Sequence, residues 1–239
     1  MKPILHPLFS KKKLFICCII AFSLLLSPSA SAHSSKEDPP SHEPTLSDII
    51  FVGDSTTYHA VSRGILPRHQ VWCPANHTLM LSSEITALKI LHPRLNTEMT
   101  IAEACERDRP RYLLFTIGIN GAHTFTEGYY KGAYRKLLTA VRDASPDTVL
   151  LIESVFPVAE NETAWTSLSP AQLNQCITRI NGWAKELSEE FESCRYLNTA
   201  SVLCDEKGFL KREFEAGDGI HLTEAGYQAI ISYISSVLF

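Results

Sequence analysis

Short apolar runs alternate with longer segments of helical spacing along this chain, and this alternation is what most constrains its fold. Three of the runs stop at a glycine or a proline: the unbroken run Ile49–Val52 before Gly53, and the strongly apolar segments Arg111–Ile117 before Gly118 and Thr148–Phe156 before Pro157. Runs of this length and composition are typical of strands buried on both faces of a parallel sheet. Two shorter strands are predicted, at Gln70–Cys73 and Tyr196–Thr199.

Helical segments lie between and after these strands. The spacing predicts helices that start near Tyr58 and run over Thr100–Arg107, Phe125–Ala144, Ser169–Glu190 and Thr223–Leu238, with Ser169 and Thr223 as N-caps. Strands that alternate with helices form a mainly parallel sheet covered on both faces. Right-handed crossovers then give an α/β fold, a three-layer α/β/α sandwich with a flavodoxin-like five-stranded sheet.

The first 45 residues have a different composition. Lys11–Lys13, the apolar run Leu14–Leu26 and Ala30-Ser31-Ala32 predict a signal peptide at 1–32, with an uncleaved signal anchor as the alternative. Residues 33–45, rich in Ser, Pro, Glu and Lys, are expected to be a disordered linker, which leaves 46–239 as the folded domain. We therefore expect a secreted or extracytoplasmic protein without stable membrane insertion after cleavage.

Charge and cysteine content exclude some functions. A net charge of −4 argues against a nucleic-acid partner. The five cysteines beyond residue 32 show no metal-ligand spacing, so neither a metal site nor a cofactor is predicted. In an exported protein Cys194 and Cys204 could pair, with buried free thiols as the alternative.

The candidate nucleophile is Ser55. It follows the first strand in Gly53-Asp54-Ser55-Thr56, so it lies at the carboxyl edge of the sheet, where open α/β folds build their sites. A serine hydroxyl needs a base and an oriented partner to act. The alternative is an ordinary turn with a helix cap, since Asp, Ser and Thr all favour such positions.

Two further segments could complete a site at this edge. Asn120 follows the Arg111–Ile117 strand, and its amide could donate to a developing oxyanion, although Asn-Gly is also a common turn dipeptide. Asp218 and His221 precede the last helix, close enough for the carboxylate to orient the imidazole as a base. The alternatives are a capping segment with an incidental histidine, or two metal ligands without a third nearby.

Together these segments resemble the SGNH/GDSL hydrolase family. Gly53-Asp54-Ser55 is similar to its first block and Gly118-x-Asn120 to its third. Asp218-x-x-His221, followed by Leu222-Thr223, is similar to its fifth. The resemblance implies that Ser55 is the nucleophile, His221 the general base and Asp218 its orienting carboxylate. It also implies an oxyanion hole made of the Ser55 N–H and the Asn120 side chain.

The sequence departs from the family pattern at two places. The family's second block supplies a glycine N–H to the oxyanion hole, but no glycine lies between Gly64 and Gly118. Ala75, Asn76 or His77 would have to replace it, and that donor stays unassigned. Gly121 also stands where the third block usually has Asp, which weakens any hydrogen bond that would brace this loop.

The resemblance implies an esterase that acts through an acyl-enzyme. The expected substrate is a small-molecule or glycan ester with a short acyl group, for example acetyl, and the expected export is the reason for the glycan. Alternatives are a lipid-acting esterase or lysophospholipase, an acyltransferase, and a glycan-binding module of weak activity. Tyr58 and His123 are near the first and third blocks and could contact substrate, or serve only in packing or at the surface.

Overall fold

The computed structural model describes residues 42–160 and 166–239. Its strands are β1 (Ile49–Gly53), β2 (Val71–Trp72), β3 (Lys89–His92), β4 (Thr97–Thr100), β5 (Tyr112–Thr116), β6 (Val149–Glu153) and β7 (Cys194–Leu197). Its α-helices are α1 (Ser55–Ser62), α2 (Ile101–Asp108), α3 (Glu127–Ala144), α4 (Pro170–Ser188), α5 (Ala200–Leu203) and α6 (Glu224–Leu238).

Five strands form one sheet in the order β2-β1-β5-β6-β7, and every pairing in it is parallel. With the hairpin strands β3 and β4 set aside, this is the 2-1-3-4-5 order of flavodoxin-like folds. The predicted fold class is therefore confirmed. Because the strands are parallel, the ends of β1, β5 and β6 emerge at one edge, next to the loops that follow Gly53, Thr116 and Glu153.

The core is divided between the two faces of this sheet. Alternate residues of a strand point to opposite faces, so Ile50 and Val52 of β1 pack with α2, α3 and α4, whereas Ile49 and Phe51 pack with α1 and α6. Leu114 of β5 joins the second group. The sheet thus places α1, which carries Ser55, on the same face as α6, which follows His221.

The helices begin at capping side chains that the sequence supplies. Ser169 accepts a hydrogen bond from the backbone N–H of Gln172, and Thr223 accepts one from Gly226, so both predicted caps are confirmed. Asp54 caps α1 by accepting from the N–H of Thr56. This cap starts α1 at Ser55, three residues before the position that the sequence spacing predicted.

Two other features differ from the sequence-based expectations. The hairpin of β3 and β4 was not predicted, because its turn contains no glycine; Asn96 takes the left-handed conformation there, with φ 51°. The last strand spans Cys194–Leu197 rather than Tyr196–Thr199, since Thr199 is already the N-cap of α5.

All five cysteines in the described part of the chain are free, so Cys194 and Cys204 are not paired; both are partly exposed, whereas the alternative expected buried thiols. The predicted signal peptide at 1–32 and residues 33–41 of the predicted linker lie outside the described residues. Across residues 42–160 and 166–239, no helix is both long and apolar enough to cross a membrane.

Candidate active site

The turn from β1 to α1 is built around Gly53. A Cβ at this position would lie 1.9 Å from the Thr57 Oγ1 atom and 3.0 Å from the Thr116 carbonyl oxygen, so only glycine fits. Ser55 follows as the first residue of α1. An N–H at that position has no acceptor within the helix and points to the site with the positive end of the helix dipole.

The loop before α6 brings an imidazole to this serine. The Nε2 atom of His221 lies 3.0 Å from the Ser55 Oγ atom, and its Nδ1 atom lies 2.6 Å from the Asp218 Oδ2 atom. Asp218 Oδ1 also accepts the backbone N–H groups of Ile220 and His221. A chain of hydrogen bonds thus runs from carboxylate to imidazole to hydroxyl, the arrangement by which a serine is activated.

Residues that sequence reasoning missed hold this loop in shape. The Glu215 carboxylate accepts the backbone N–H groups of Gly217 and Gly219. Both glycines have positive φ, 107° and 81°, a conformation that other residues rarely adopt. The detectable signal was Glu-Ala-Gly-Asp-Gly, a carboxylate two and four residues before two glycines.

The two site carboxylates have opposite pKa shifts. For Asp218, partial burial opposes ionisation, but hydrogen bonds from the His221 side chain and from the N–H groups of His221 and Ile220 lower the pKa to about 2. Asp54 is fully buried, and desolvation raises its pKa to about 6 despite two hydrogen bonds from Thr56. Asp218 is therefore ionised at neutral pH, as an orienting carboxylate must be.

Asn120 also lies at this edge, but its amide is already engaged. Its Nδ2 donates to the Asp54 Oδ2 atom at 2.9 Å and to the Leu79 carbonyl oxygen at 3.1 Å. An amide nitrogen carries two hydrogens, so both donors are used. Asn120 is next to the residue that precedes Ser55, but it can reach an oxyanion only by releasing one of these partners.

The loop that replaces the second block contains the expected backbone conformation without the glycine. His77 has φ 56°, within the left-handed region. Its N–H donates to the Pro74 carbonyl, and Asn76 Oδ1 accepts the N–H of Thr78. Next to this loop, the Leu79 carbonyl accepts a hydrogen bond from the Asn120 amide. The backbone N–H that would replace the second-block glycine as a donor to the oxyanion therefore stays unassigned.

The other departure from the family pattern is Gly121, and the backbone at this position accounts for it. Its φ is 89°, and a Cβ there would meet the Phe125 ring at 3.0 Å, so a side chain is disfavoured. The Asn120 amide is braced by Asp54 and Leu79 instead of by a carboxylate in the next position. Of the two other candidate contact residues, Tyr58 stacks on His77 at 3.5 Å, and His123 is exposed.

A small apolar pocket adjoins the chain of hydrogen bonds from Asp218 through His221 to Ser55, which is called the relay below. It has a volume of about 280 Å³, including its open mouth, and is lined by Thr56, Thr116, Ile117, Gly118, Ile119, Val155, Phe156 and Ile220. Thr56 and Ile220 are the sequence neighbours of Ser55 and His221. In the described part of the chain, no group of three or more His, Cys, Asp or Glu side chains could hold a metal ion.

The fold and this site define a class: a three-layer α/β protein with a Ser–His–Asp hydrogen-bond chain at the carboxyl edge of a parallel sheet. The sequence profile of the GDSL-like lipase/acylhydrolase family matches residues 51–229, well over half of the chain. The protein therefore belongs to the GDSL-like lipase/acylhydrolase family, a family of hydrolases, and the resemblance noted from the sequence is confirmed.

Solved structures share the fold at low sequence identity. A proposed platelet activating factor from Streptococcus pneumoniae aligns with TM-score 0.60 and 20% identity, covering 84% of this chain and 86% of that one. A proposed SGNH hydrolase from Slackia heliotrinireducens aligns with TM-score 0.58 and 15% identity, covering 80% of this chain and 98% of that one. A proposed acylhydrolase from Bacteroides fragilis aligns with TM-score 0.55 and 14% identity, covering 82% of this chain and 89% of that one. No curated protein matches the sequence.

Proposed function

We propose that this protein is an exported serine esterase that removes short acyl groups, acetyl above all, from a glycan or small-molecule ester. The observation that carries the proposal is the unbroken relay from Asp218 Oδ2 through His221 to Ser55 Oγ, with separations of 2.6 and 3.0 Å. Membership of a hydrolase family agrees with it.

In the first half-reaction, His221 Nε2 takes the Ser55 hydroxyl proton while Oγ attacks the ester carbonyl carbon. Asp218, ionised because its pKa is about 2, stabilises the imidazolium that forms. The carbonyl oxygen becomes an oxyanion, and the N–H of Ser55 donates to it. Asn120 Nδ2 becomes the second donor when it exchanges the Leu79 carbonyl for the oxyanion.

The tetrahedral intermediate then collapses. The bond between the carbonyl carbon and the alcohol oxygen breaks, and His221 returns its proton to the leaving alcohol, which leaves the acyl group on Ser55. In the second half-reaction a water molecule attacks the acyl carbon and gives a proton to His221. Loss of the carboxylic acid then restores the Ser55 hydroxyl and the neutral imidazole.

The size of the adjoining pocket supports a short acyl group. Two of its lining residues, Gly118 and Val155, lie so close together that a Cβ on Gly118 would be 2.8 Å from the Val155 side chain.

The N-terminal sequence supports export. A lysine cluster, an apolar run and a small-residue cleavage pattern occupy residues 11–32. An exported esterase would meet acylated glycans of the cell envelope or the surroundings, which is the reason for proposing a glycan substrate. Fractionation of cells that produce the full chain tests this step: product confined to the cytoplasm would contradict it.

A series of p-nitrophenyl esters from acetyl to palmitoyl tests the activity of the purified protein. The expected result is turnover of the short esters that Ser55→Ala abolishes and Ser232→Ala leaves unchanged. Ser232 is a matched control because it is exposed on α6. A fluorophosphonate probe should label Ser55 and no other serine. Equal turnover by Ser55→Ala would refute the proposal.

The same series separates the other functions. Preference for long chains would favour a lipid-acting esterase, and acyl transfer to an added alcohol or sugar in excess of hydrolysis would favour an acyltransferase. Glycan binding with no turnover above the Ser55→Ala level would identify a binding module.

A further inference from the structure

A second histidine lies against the relay. His59 is four residues after Ser55 on α1, so it lies one helical turn along the same face. Its ring stacks on that of His221, with the ring centroids 4.0 Å apart and the planes inclined by 29°. Asp218 and Ser55 hold the two nitrogens of the His221 ring, and His59 covers one of its faces.

The environment of His59 favours its neutral form. Its Nδ1 atom is buried without a hydrogen-bond partner among the described residues. Burial lowers its pKa, and the charges of His221, Arg63 and His77 lower it further, whereas Asp218 raises it. These groups approach from three elements: Arg63 from the end of α1, His77 from the loop after β2, and His221 with Asp218 from the loop before α6.

Resting on the proposed esterase function, we propose that His59 is a positioning residue that braces His221 by ring stacking and disables the relay when it becomes protonated. The neutral ring presents its π-face to the imidazole that must become an imidazolium after taking the Ser55 proton, and such a contact favours the cation. A protonated His59 would place a like charge about 4 Å from that imidazolium and oppose its formation.

The proposal predicts two active-site protonations on the acid side of the pH–rate profile. A single base gives log(kcat/KM) a limiting slope of 1 at low pH. Two groups that must both be neutral, His221 and His59, raise that slope by one. Asp54 also titrates near pH 6, but it is present in every variant compared and contributes equally.

Two substitutions separate stacking from charge. His59→Phe keeps an aromatic face and removes the proton, so its acid limb should be shallower than that of the wild type by one unit of slope, with kcat at pH 8 within about threefold. His59→Ala removes the face as well, and its kcat at pH 8 should fall by about threefold to thirtyfold. Circular dichroism and a thermal melt check that both variants fold.

An NMR titration of the His221 ring gives a readout that needs no substrate. As pH falls, the wild-type ring should report one transition more than the ring in His59→Phe, because Asp54 acts equally in both proteins. A wild-type acid limb no steeper than that of His59→Phe, or an identical His221 titration in the two proteins, would overturn the role of His59. If Ser55→Ala retains full activity, the proposed hydrolysis itself fails, whatever His59 does to the titration.

Discussion

Glu153 offers a direct measurement of what it costs to bury a charge beneath this site. It ends β6 and is only 3% exposed. The Thr116 hydroxyl donates to its Oε2 atom, while Oε1 has no hydrogen-bond partner among the described residues. Burial raises its pKa from 4.5 to about 7, although hydrogen bonds from Thr116 and Thr199 oppose the rise.

The sign of the pH effect follows from this shift. Below pH 4.5 the carboxyl is protonated in both the folded and the unfolded chain. Between pH 4.5 and about 7 the unfolded chain loses its proton while the folded protein keeps it, so folding stability falls as pH rises. A shift from 4.5 to about 7, at 1.36 kcal/mol for each pKa unit, corresponds to about 3 kcal/mol lost by pH 8.

Glu153→Gln removes the pH-dependent loss of stability caused by Glu153 and little else. Glutamine has nearly the same shape, still accepts from the Thr116 hydroxyl and does not ionise. We expect the free energy of unfolding of Glu153→Gln, relative to the wild type, to rise by about 3 kcal/mol between pH 4.5 and pH 8. Urea denaturation followed by circular dichroism at pH 4.5, 6 and 8 measures it. Asp54, which titrates in the same range, is unchanged in both proteins.

Glu192→Gln is the matched control, because Glu192 is exposed and its loss should leave the pH dependence of stability unchanged. A difference between Glu153→Gln and the wild type that stays constant from pH 4.5 to pH 8 would show that Glu153 is not desolvated as its burial requires, and the reasoning would fail.

Three further predictions concern the relay and its supports. Asn120→Ala should lower kcat for acetyl esters by about 10²–10³ with a much smaller change in KM; unchanged steady-state kinetics would remove Asn120 from the oxyanion hole. Asp218→Asn should lower kcat by about 10⁴, and because the pKa of Asp218 is about 2, wild-type activity should show no loss from its protonation above pH 4; an effect under tenfold in rate assays would contradict its orienting role. Gly53→Ala should destabilise the protein by about 1–3 kcal/mol in urea denaturation, since its Cβ would lie 1.9 Å from the Thr57 hydroxyl; a change below about 0.5 kcal/mol would mean that the turn relaxes freely.

The sequence was most informative where a local pattern decides the structure. The apolar run of β1 ends at a glycine, where a Cβ would lie 1.9 Å from the hydroxyl of Thr57, only four residues further on. Asp218 and His221 form a local turn in which the backbone N–H groups of Ile220 and His221 donate to the Asp218 carboxylate, all within four residues. Both features could therefore be read without knowing the fold.

Contacts between distant segments could not be read in this way. The Leu79 carbonyl that occupies the Asn120 amide is 41 residues away in sequence and belongs to a loop without regular structure. The stacking of His59 on His221 depends on how α1 and the loop before α6 dock on the sheet. A histidine one helical turn after a candidate nucleophile is a signal that could have directed attention to it.

The Tyr227 hydroxyl, which donates to the Thr56 carbonyl oxygen, fastens the last helix to the first. This hydrogen bond joins the two helices next to the relay: Ser55 is the first residue of α1, and His221 lies just before α6. Tyr227, Ile230 and Ile234 of α6 also belong to the hydrophobic core on this face of the sheet. Loosening of this core would therefore separate the imidazole from the hydroxyl, and we expect turnover to be lost no later than the core itself unfolds.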